Sequence, residues 1–225
     1  MLLHEGLGSV AAWRGFPARL AERTDRAVIA YSRLGYGRSD AAPLPRPVTF
    51  MHDEARARLP AVLDALAPGP VTLYGHSDGG SIALLAAASH PERVEALILE
   101  APHVFVEALS VASIERMRVQ FETGDLRTRL ARLHDSVDIA FRGWNDVWLS
   151  PEFRGWNIED QLPLVTCPVL VIQGDDDEYG TPAQVEAIAR QVRGRVTVRM
   201  LPACGHAPHR ERPEAVLDAV AEFIP

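Results

Sequence analysis

A serine that could act as a nucleophile stands in the middle of the motif Gly-His-Ser-Asp-Gly, residues 75–79. The apolar run before it, residues 71–74, is typical of a strand, and the alanine-rich run after it, residues 81–86, is typical of a helix. A sharp turn between such elements exposes the hydroxyl of Ser77 in strained backbone geometry, and the start of the helix favours a developing negative charge. Small residues also occur in strand-to-helix turns for packing alone, but the flanking elements favour a catalytic serine.

A serine hydroxyl is a weak nucleophile unless a base removes its proton, so one of the eight histidines is expected beside Ser77. His206 is the favoured candidate, because it lies in a loop between the last predicted strand and a predicted helix over residues 213–223. His209 competes for this role but is interpreted as a surface residue, and His76 is expected to pack or to form a hydrogen bond behind the reacting groups. The other four histidines have no motif around them and are expected to be ordinary surface or core residues: His52, His90, His103 and His134.

The base in turn needs an acid that fixes its tautomer and stabilises its charged form. Four acids, residues 175–178, follow the predicted strand over residues 169–172. Asp177 has the favoured spacing from Gly174, and its acidic neighbours are interpreted as solvated loop charges. Glu100, at the end of another predicted strand, is a second possible acid.

Short apolar runs bounded by turn residues alternate with segments whose apolar residues are spaced by three or four, including predicted helices over residues 53–67 and 182–192. This alternation indicates right-handed crossovers between the strands of a mostly parallel sheet, with helices on both faces, which is the α/β class. Ligands are then expected at the carboxyl ends of the strands, where Ser77 and His206 lie. The predicted strands are residues 27–31, 71–74, 94–99, 169–172 and 196–198.

Residues 102–165 contain no strand-like run and hold most of the phenylalanine and tryptophan of the chain. They are interpreted as a helical insertion into a core formed by residues 1–101 and 166–225. Three of the aromatic residues are predicted to form an apolar substrate pocket, although they could equally pack the insertion onto the core: Phe141, Trp144 and Trp148. The arginines of the insertion are interpreted as solvated, with a clamp for a substrate carboxylate as the alternative: Arg116, Arg118, Arg127, Arg129 and Arg132.

The composition limits the possible partners. The chain has 225 residues, of which 47% are hydrophobic and 24% are charged, so it can bury a core and does not have the composition of a disordered chain. Its 23 basic and 30 acidic residues give a formal net charge of −7, which disfavours a nucleic-acid partner. Cys167 and Cys204 are too few for a disulfide framework and lack the spacing of metal ligands. The sequence offers no membrane span and no signal peptide, so a cytoplasmic location without membrane attachment is predicted.

The chain resembles members of the α/β-hydrolase fold superfamily over nearly its whole length, and Ser77, Asp177 and His206 come in the order that this family uses. The resemblance implies that Ser77 is the nucleophile, Asp177 the acid and His206 the base. It also implies that the backbone N–H groups of Asp78 and Gly6 form the oxyanion hole, and that the helical insertion is the family's cap. The matching motifs are Leu3-His4 with Gly6 and Gly8, residues 35–40, residues 90–94, residues 167–170 before Gly174, and Gly205-His206 before Glu211 and Pro213.

Three departures from the family pattern carry expectations of their own. Glu5 stands where the family usually has a glycine, so the second oxyanion donor could be Leu7 rather than Gly6. Ser32 stands where the family often has an aspartate, which is expected to remove only a structural hydrogen bond. The family usually has two further strands before the one at Leu2, so the sheet edge there is expected to be uncovered, with self-association along it or reduced stability.

These residues predict a hydrolase of a small carboxylic ester or thioester that acts through an acyl-serine and needs neither a cofactor nor a metal. Hydrolysis of a carbon–carbon bond, opening of a lactone and cofactor-free perhydrolysis use the same serine triad and remain open alternatives. Epoxide hydrolysis and dehalogenation are disfavoured, because family members with those activities use aspartate where this chain has Ser77. A small-molecule receptor that keeps the triad but turns over slowly is the alternative from another class of protein.

Overall fold

The computed structural model describes residues 1–224, and a parallel sheet lies at its centre. Within these residues the sheet has five strands, which lie side by side in the order of the sequence. Because every neighbouring pair is parallel, all the carboxyl ends lie at one edge of the sheet. The strands are β1 (Leu2–Leu3), β2 (Val71–His76), β3 (Val94–Glu100), β4 (Val169–Gly174) and β5 (Val196–Leu201).

Helices pack on both faces of the sheet, as the alternating pattern predicts. The segment predicted as one helix over residues 53–67 is divided in the structure, because a π-helical turn (Glu54–Arg58) joins α2 to α3. The α-helices are α1 (Phe16–Thr24), α2 (Phe50–Asp53), α3 (Leu59–Leu66), α4 (Asp78–Ser89), α5 (Ala108–Thr123), α6 (Leu126–Leu130), α7 (Val137–Trp148), α8 (Pro182–Gln191), α9 (Pro208–Glu211) and α10 (Pro213–Phe223).

The prediction of a strand over residues 27–31 is wrong. This segment forms one isolated parallel bridge, between Ala30 and Leu2, and the carbonyl of Ile29 accepts a hydrogen bond from the N–H of Leu2 at 2.8 Å. The neighbouring strand β1 has only two residues, so residues 27–31 cannot form more than this short pairing with it. The outer side of β1 is therefore covered in part, and self-association along this edge stays a prediction.

The side chains of the first two strands alternate between two hydrophobic clusters, one on each face of the sheet. Leu3 and Leu73 belong to the cluster that includes α4, whereas Leu2 and Tyr74 belong to the cluster that includes α1 and α10. Complete burial of a leucine side chain stabilises a fold by about 1.5–3 kcal/mol. Because Leu2 and Leu3 are both buried, even the shortest strand is anchored on both faces.

Residues 102–165 hold α5, α6 and α7, followed by two 3-10 helices (Pro151–Gly155 and Glu159–Leu164), and no strand forms in this stretch of the described chain. The helices pack through aromatic side chains, of which Phe121 and Phe141 stack with ring centroids 3.7 Å apart. We refer to residues 102–165 as the helical segment. The division of the chain into a core and a cap stays a prediction.

The arginines of the helical segment are solvated, in line with the prediction. Arg127 forms an exposed ion pair with Asp138. The side chain of Arg118 is 40% exposed, and its Nε also donates a hydrogen bond to Oδ1 of the buried Asn145 at 2.7 Å. A buried amide oxygen needs a donor, so this arginine supplies one from the surface.

Candidate active site

Ser77 lies at the turn between β2 and α4, and its backbone takes the left-handed region with φ of 54°. Its N–H donates to the carbonyl of Glu100 at 2.9 Å, which ties the turn to β3. The flanking glycines are required by close backbone contacts, because a Cβ on Gly75 would lie 2.2 Å from the carbonyl oxygen of Gly79 and one on Gly79 would lie 2.1 Å from that of Leu3. A left-handed φ costs a non-glycine residue of order 1–3 kcal/mol, and such strain is typical of functional sites.

The sequence predicts a serine, a histidine and an acid after the ends of three strands. In the structure these side chains lie next to one another and form a hydrogen-bonded line, with His206 between Ser77 and Asp177. Ser77 Oγ lies 2.9 Å from Nε2 of His206, and Nδ1 of His206 lies 2.8 Å from Oδ1 of Asp177. The same carboxylate oxygen accepts the backbone N–H groups of Tyr179 at 2.8 Å and Gly180 at 3.2 Å. Burial alone would raise the pKa of Asp177, but these hydrogen bonds and the charge on His206 hold it below its usual value. Asp177 is thus ionised at neutral pH and oriented towards the histidine.

Glu100 and His209 form a second acid–base pair, which lies behind this line. The carboxylate of Glu100 accepts the backbone N–H of His209 at 2.7 Å and its Nδ1–H at 2.8 Å, and it also accepts the hydroxyl of Tyr74 at 2.5 Å. Burial would raise the pKa of Glu100, yet the charges on His209 and His76 lower it to about 2. Two expectations are corrected here: His209 is buried rather than on the surface, and Glu100 serves His209 rather than His206.

His76, which precedes the serine, supports the loop of His206. Its Nε2–H donates to the backbone carbonyl of His206 at 2.7 Å, and its Nδ1 lies 3.5 Å from Oε2 of Glu5. Burial alone would lower the pKa of His76, but the negative charges of Glu100 and Glu5 outweigh it and raise the pKa to about 9. Glu5, which departs from the family pattern, therefore supplies a countercharge, and it also forms an ion pair with Arg210 at 3.0 Å.

The proposed oxyanion donors line the same cavity as Ser77. Asp78 is the first residue of α4, where backbone N–H groups have no partner within the helix, and Gly6 and Leu7 lie on the loop after β1. The side chain of Asp78 is buried, and its Oδ1 accepts Nε1–H of Trp148 at 3.2 Å. Burial raises the pKa of Asp78 to about 6, although nearby arginine charge and the hydrogen bond from Trp148 act in the opposite direction.

The cavity in front of Ser77 has a volume of about 400 Å³. Two of the three predicted pocket residues, Trp144 and Trp148, line it. The third prediction is wrong: Phe141 is outside the lining, because its ring stacks on Phe121 within the helical segment. Aliphatic side chains of the helical segment complete one wall of the cavity: Ile114, Met117, Leu126, Leu130 and Leu133.

His103 is a cavity residue that the sequence did not single out. It is buried, with its ring centroid 5.6 Å from that of His206 and 5.2 Å from that of Trp148. Burial and the neighbouring charge on His206 lower the pKa of His103 to about 3, so its ring is neutral at physiological pH. No motif surrounds His103 in the sequence, and only the path of the chain after β3 brings it here.

Residues 1–224 contain neither a cluster of metal-binding side chains nor a membrane-spanning helix. No group of three or more histidine, cysteine or acidic side chains in this range could hold a metal ion. None of the helices described is both long enough and apolar enough to cross a membrane.

Comparison with known proteins agrees with this architecture. Residues 1–219 match the model of the family described as "Alpha/beta hydrolase family". The chain is similar to a 2-hydroxymuconate semialdehyde hydrolase of Pseudomonas sp. (strain CF600), with 26% identity over 249 residues that cover 100% of this chain and 86% of the relative. It is also similar to the monoglyceride lipase of Rattus norvegicus, with 24% identity over 229 residues that cover 92% of this chain and 74% of the lipase.

Solved structures give the same result for the fold. A hydrolase from Pseudomonas aeruginosa PA01 superposes with a TM-score of 0.75 at 20% identity, covering 99% of this chain and 88% of that one. A thermophilic esterase from Thermogutta terrifontis superposes with a TM-score of 0.73 at 22% identity, covering 99% of this chain and 87% of that one. At these identities the likeness concerns the fold alone.

Proposed function

Because the chain belongs to the alpha/beta hydrolase family, we propose that it hydrolyses a small carboxylic ester or thioester through an acyl-serine intermediate. One observation carries this proposal: the hydrogen-bonded line from Asp177 through His206 to Ser77, with distances of 2.8 and 2.9 Å. A nucleophile, a base and an acid in such contact form the arrangement that acyl transfer requires.

His206 moves the proton in both halves of the reaction. Its Nε2 accepts the proton of Ser77 Oγ while Oγ attacks the acyl carbon, and it then gives this proton to the departing oxygen or sulfur. In the second half a water molecule attacks the acyl-serine, His206 takes its proton, and Oγ recovers a proton as the acid leaves. Asp177, ionised because its pKa is low, stabilises the positively charged imidazole in both steps.

The oxyanion that forms at the acyl carbon needs fixed donors. The backbone N–H of Asp78 supplies one, since it stands at the start of α4 where the helix dipole also favours negative charge. The N–H of Gly6 supplies the second, and that of its neighbour Leu7 is the alternative; both residues line the cavity. Donors of this kind act in the transition state and raise kcat.

The cavity fits a small substrate without net charge. Its volume of about 400 Å³ lies in the range that small ligands occupy. The helical segment gives it an apolar wall, and charged residues of both signs line it: Arg14, Arg129, Arg210, Glu178 and Glu211. Arg129, one of the arginines considered as a carboxylate clamp, is paired with Asp125, and Arg210 is paired with Glu5, so the rim does not select strongly for one sign of charge. We expect the acyl group to lie against the apolar wall.

The test of the mechanism is Ser77→Ala with a p-nitrophenyl ester of a short carboxylic acid. We expect kcat to fall by about 10⁴-fold or more, as in other serine triads. Ser39→Ala is the matched control, because Ser39 is exposed and its hydroxyl bonds the carbonyl of Ser32, outside the cavity. Turnover by Ser77→Ala at the wild-type rate would contradict the mechanism.

A second measurement separates the enzyme from a receptor with the same residues. A fluorophosphonate probe should label Ser77 stoichiometrically, and the labelled chain should lose turnover on a panel of esters, thioesters and lactones. Stoichiometric labelling with negligible turnover across the whole panel would favour the receptor. The substrate with the highest kcat/KM in the panel identifies the bond that is cleaved.

A further inference from the structure

We propose that the indole N–H of Trp144 donates a hydrogen bond to the acyl oxygen of the substrate and is a further oxyanion donor beside the backbone N–H groups. This inference rests on the proposed function. Trp144 is catalytic in the direct sense, because the donated hydrogen bond reaches a reacting atom. Its position, its lack of a partner and its contact with Gly6 carry the argument.

The edge of the Trp144 ring that bears the nitrogen lies against Gly6. A Cβ built on Gly6 would lie 2.1 Å from Nε1 and 2.3 Å from Cδ1 of the indole. Gly6 is therefore required here, because any side chain would push the indole away. The N–H of Gly6 is the proposed second oxyanion donor, so the indole nitrogen and the proposed oxyanion site lie in the same corner of the cavity.

Within residues 1–224 the indole N–H of Trp144 has no hydrogen-bond partner, although the side chain is only 6% exposed. Trp148, one turn further along α7, does have one, since its Nε1 donates to Asp78 at 3.2 Å. Tryptophan N–H groups at largely buried positions usually find an acceptor, and this nitrogen is not among the fully buried unpartnered atoms, so an acceptor can reach it from the cavity. A substrate oxygen in the cavity would supply the missing acceptor.

The other unpartnered indoles show what distinguishes Trp144. Nε1 of Trp13 and Nε1 of Trp156 are also without a partner, but both atoms are sealed inside the protein and neither residue lines the cavity. Trp144 is not sealed in this way, and it shares the lining with Ser77 and Gly6. Its unused donor lies beside Gly6, whose N–H is the proposed second donor to the oxyanion. A fixed donor in a site that excludes water stabilises such a charge more than the same donor in water would.

The first test compares Trp144→Phe with Trp156→Phe. Both substitutions keep an aromatic ring and remove an unpartnered N–H, but only the first removes one that lines the cavity. With p-nitrophenyl butyrate we expect kcat to fall about 100-fold in Trp144→Phe with little change in KM, which is the loss typical of one oxyanion donor. Trp156→Phe should stay within about threefold of the wild type.

Two further variants and a ligand test the donor itself. Trp144→His restores a ring N–H, so it should recover part of the kcat that Trp144→Phe loses. A phenylboronic acid forms a tetrahedral adduct on a reactive serine, and Trp144→Phe should bind it more weakly by a factor similar to the loss in kcat. A kcat near the wild-type value in Trp144→Phe, or equal affinity for the boronic acid, overturns the inference.

A measurement on the unaltered protein does not depend on the folding of any variant. On addition of the boronic acid, the indole proton resonance of Trp144 should move downfield, whereas that of Trp156 should not move. An unmoved Trp144 resonance overturns the inference. If the wild type turns over esters and Ser77→Ala does not, such a failure concerns Trp144 alone; if the wild type has no Ser77-dependent turnover, the proposed function fails as well.

Discussion

The two sides of the candidate active site differ in the kind of contact that builds them. On the side of the sheet lies a charge cluster, which we call the buried charge cluster and define as Glu5, His76, Glu100 and His209. Both oxygens of Glu100 accept hydrogen bonds in it, whereas Nδ1 of His76 and Nε2 of His209 are buried without a hydrogen-bond partner. On the other side the helical segment presents a wall of aliphatic and aromatic side chains, in which the indole N–H of Trp144 has no hydrogen-bond partner within residues 1–224.

This difference assigns different tasks to the two sides. The buried charge cluster links β1, β2 and β3 to the loop of His206, so it fixes the orientation of the base before any substrate arrives. The apolar wall offers few polar groups. A substrate is therefore selected there by its shape and by one hydrogen bond, from the indole N–H of Trp144. Substitutions behind the triad should change stability and pH dependence, and substitutions in the wall should change selectivity.

The largest effect is expected from Asp177→Asn. An amide at this position no longer stabilises the tautomer with a proton on Nδ1 of His206 or the charged imidazole, so kcat should fall by about 10⁴-fold. Glu100 cannot substitute, because its carboxylate is held by His209. Steady-state hydrolysis of p-nitrophenyl butyrate measures the loss, with the exposed neighbour in Asp176→Asn as the unaffected control. Retention of a tenth of the activity in Asp177→Asn would mean that another acid serves His206.

A large loss of stability is expected from Glu100→Ala. The change leaves the buried His209 without its acceptor and His76 without a nearby countercharge, and breaking a buried ion pair on one side costs about 3–5 kcal/mol. Urea denaturation measures the free energy of unfolding, and the exposed Glu92→Ala is expected within about 0.5 kcal/mol of the wild type. The double change Glu100→Leu with His209→Leu should recover part of the loss, because it removes the buried imidazole together with the carboxylate that it contacts. A loss below about 1 kcal/mol in Glu100→Ala contradicts a role for the cluster in stability.

Stability should also depend on pH through the buried charge cluster. The pKa of His76 is raised from 6.5 to about 9, so its contribution is fully present below pH 6.5 and is lost as pH rises towards 9. The pKa of Glu100 is lowered from 4.5 to about 2, so its contribution is fully present above pH 4.5 and is lost as pH falls towards 2. The free energy of unfolding should therefore be highest between these windows, and the alkaline loss should be up to about 3 kcal/mol.

His76→Gln provides the comparison for this pH dependence. It keeps a donor near the carbonyl of His206 but has no group that titrates in the alkaline window. Urea unfolding at pH 6.5, 7.5 and 9 should show a decline in the wild type and a much flatter curve in the variant. A wild-type free energy of unfolding that stays constant over this range would show that His76 is not held in its charged form.

The sequence predicted the line of reacting groups because each member belongs to a local pattern. Ser77 has its strand, turn and helix, Asp177 follows Gly174 at the end of β4, and His206 follows β5. Parallel strands place their carboxyl ends together, so the three patterns were sufficient to bring these residues to one edge.

The parts that could not be predicted depend on contacts between distant segments. Glu100 and His209 are 109 residues apart, and nothing near either one indicates the pairing. The position of Phe141 depends on which face of α7 packs against α5. In the structure that face carries Phe141, whose ring stacks on Phe121 of α5. The absence of a strand at residues 27–31 reflects the length of β1, its partner, rather than the propensity of the segment itself.

The smallest effect is expected at the apolar wall, from Met117→Ala. Met117 lines the cavity and is only partly buried, so its removal should lengthen the space for the acyl group at little cost in stability. The ratio of kcat/KM for p-nitrophenyl hexanoate to that for the acetate should rise roughly tenfold, since a few methylene groups in an apolar pocket discriminate by about this much.

Met200→Ala is the control for this change, because Met200 is exposed on β5 and lies outside the cavity lining. The ratio should be the same in this variant as in the wild type. An unchanged ratio in Met117→Ala would place the leaving group rather than the acyl group against the wall. In either case the pH dependence of stability should match the wild type, because Met117 has no titratable group and lies on the apolar wall. A change in that dependence would mean that the two sides of the site are coupled.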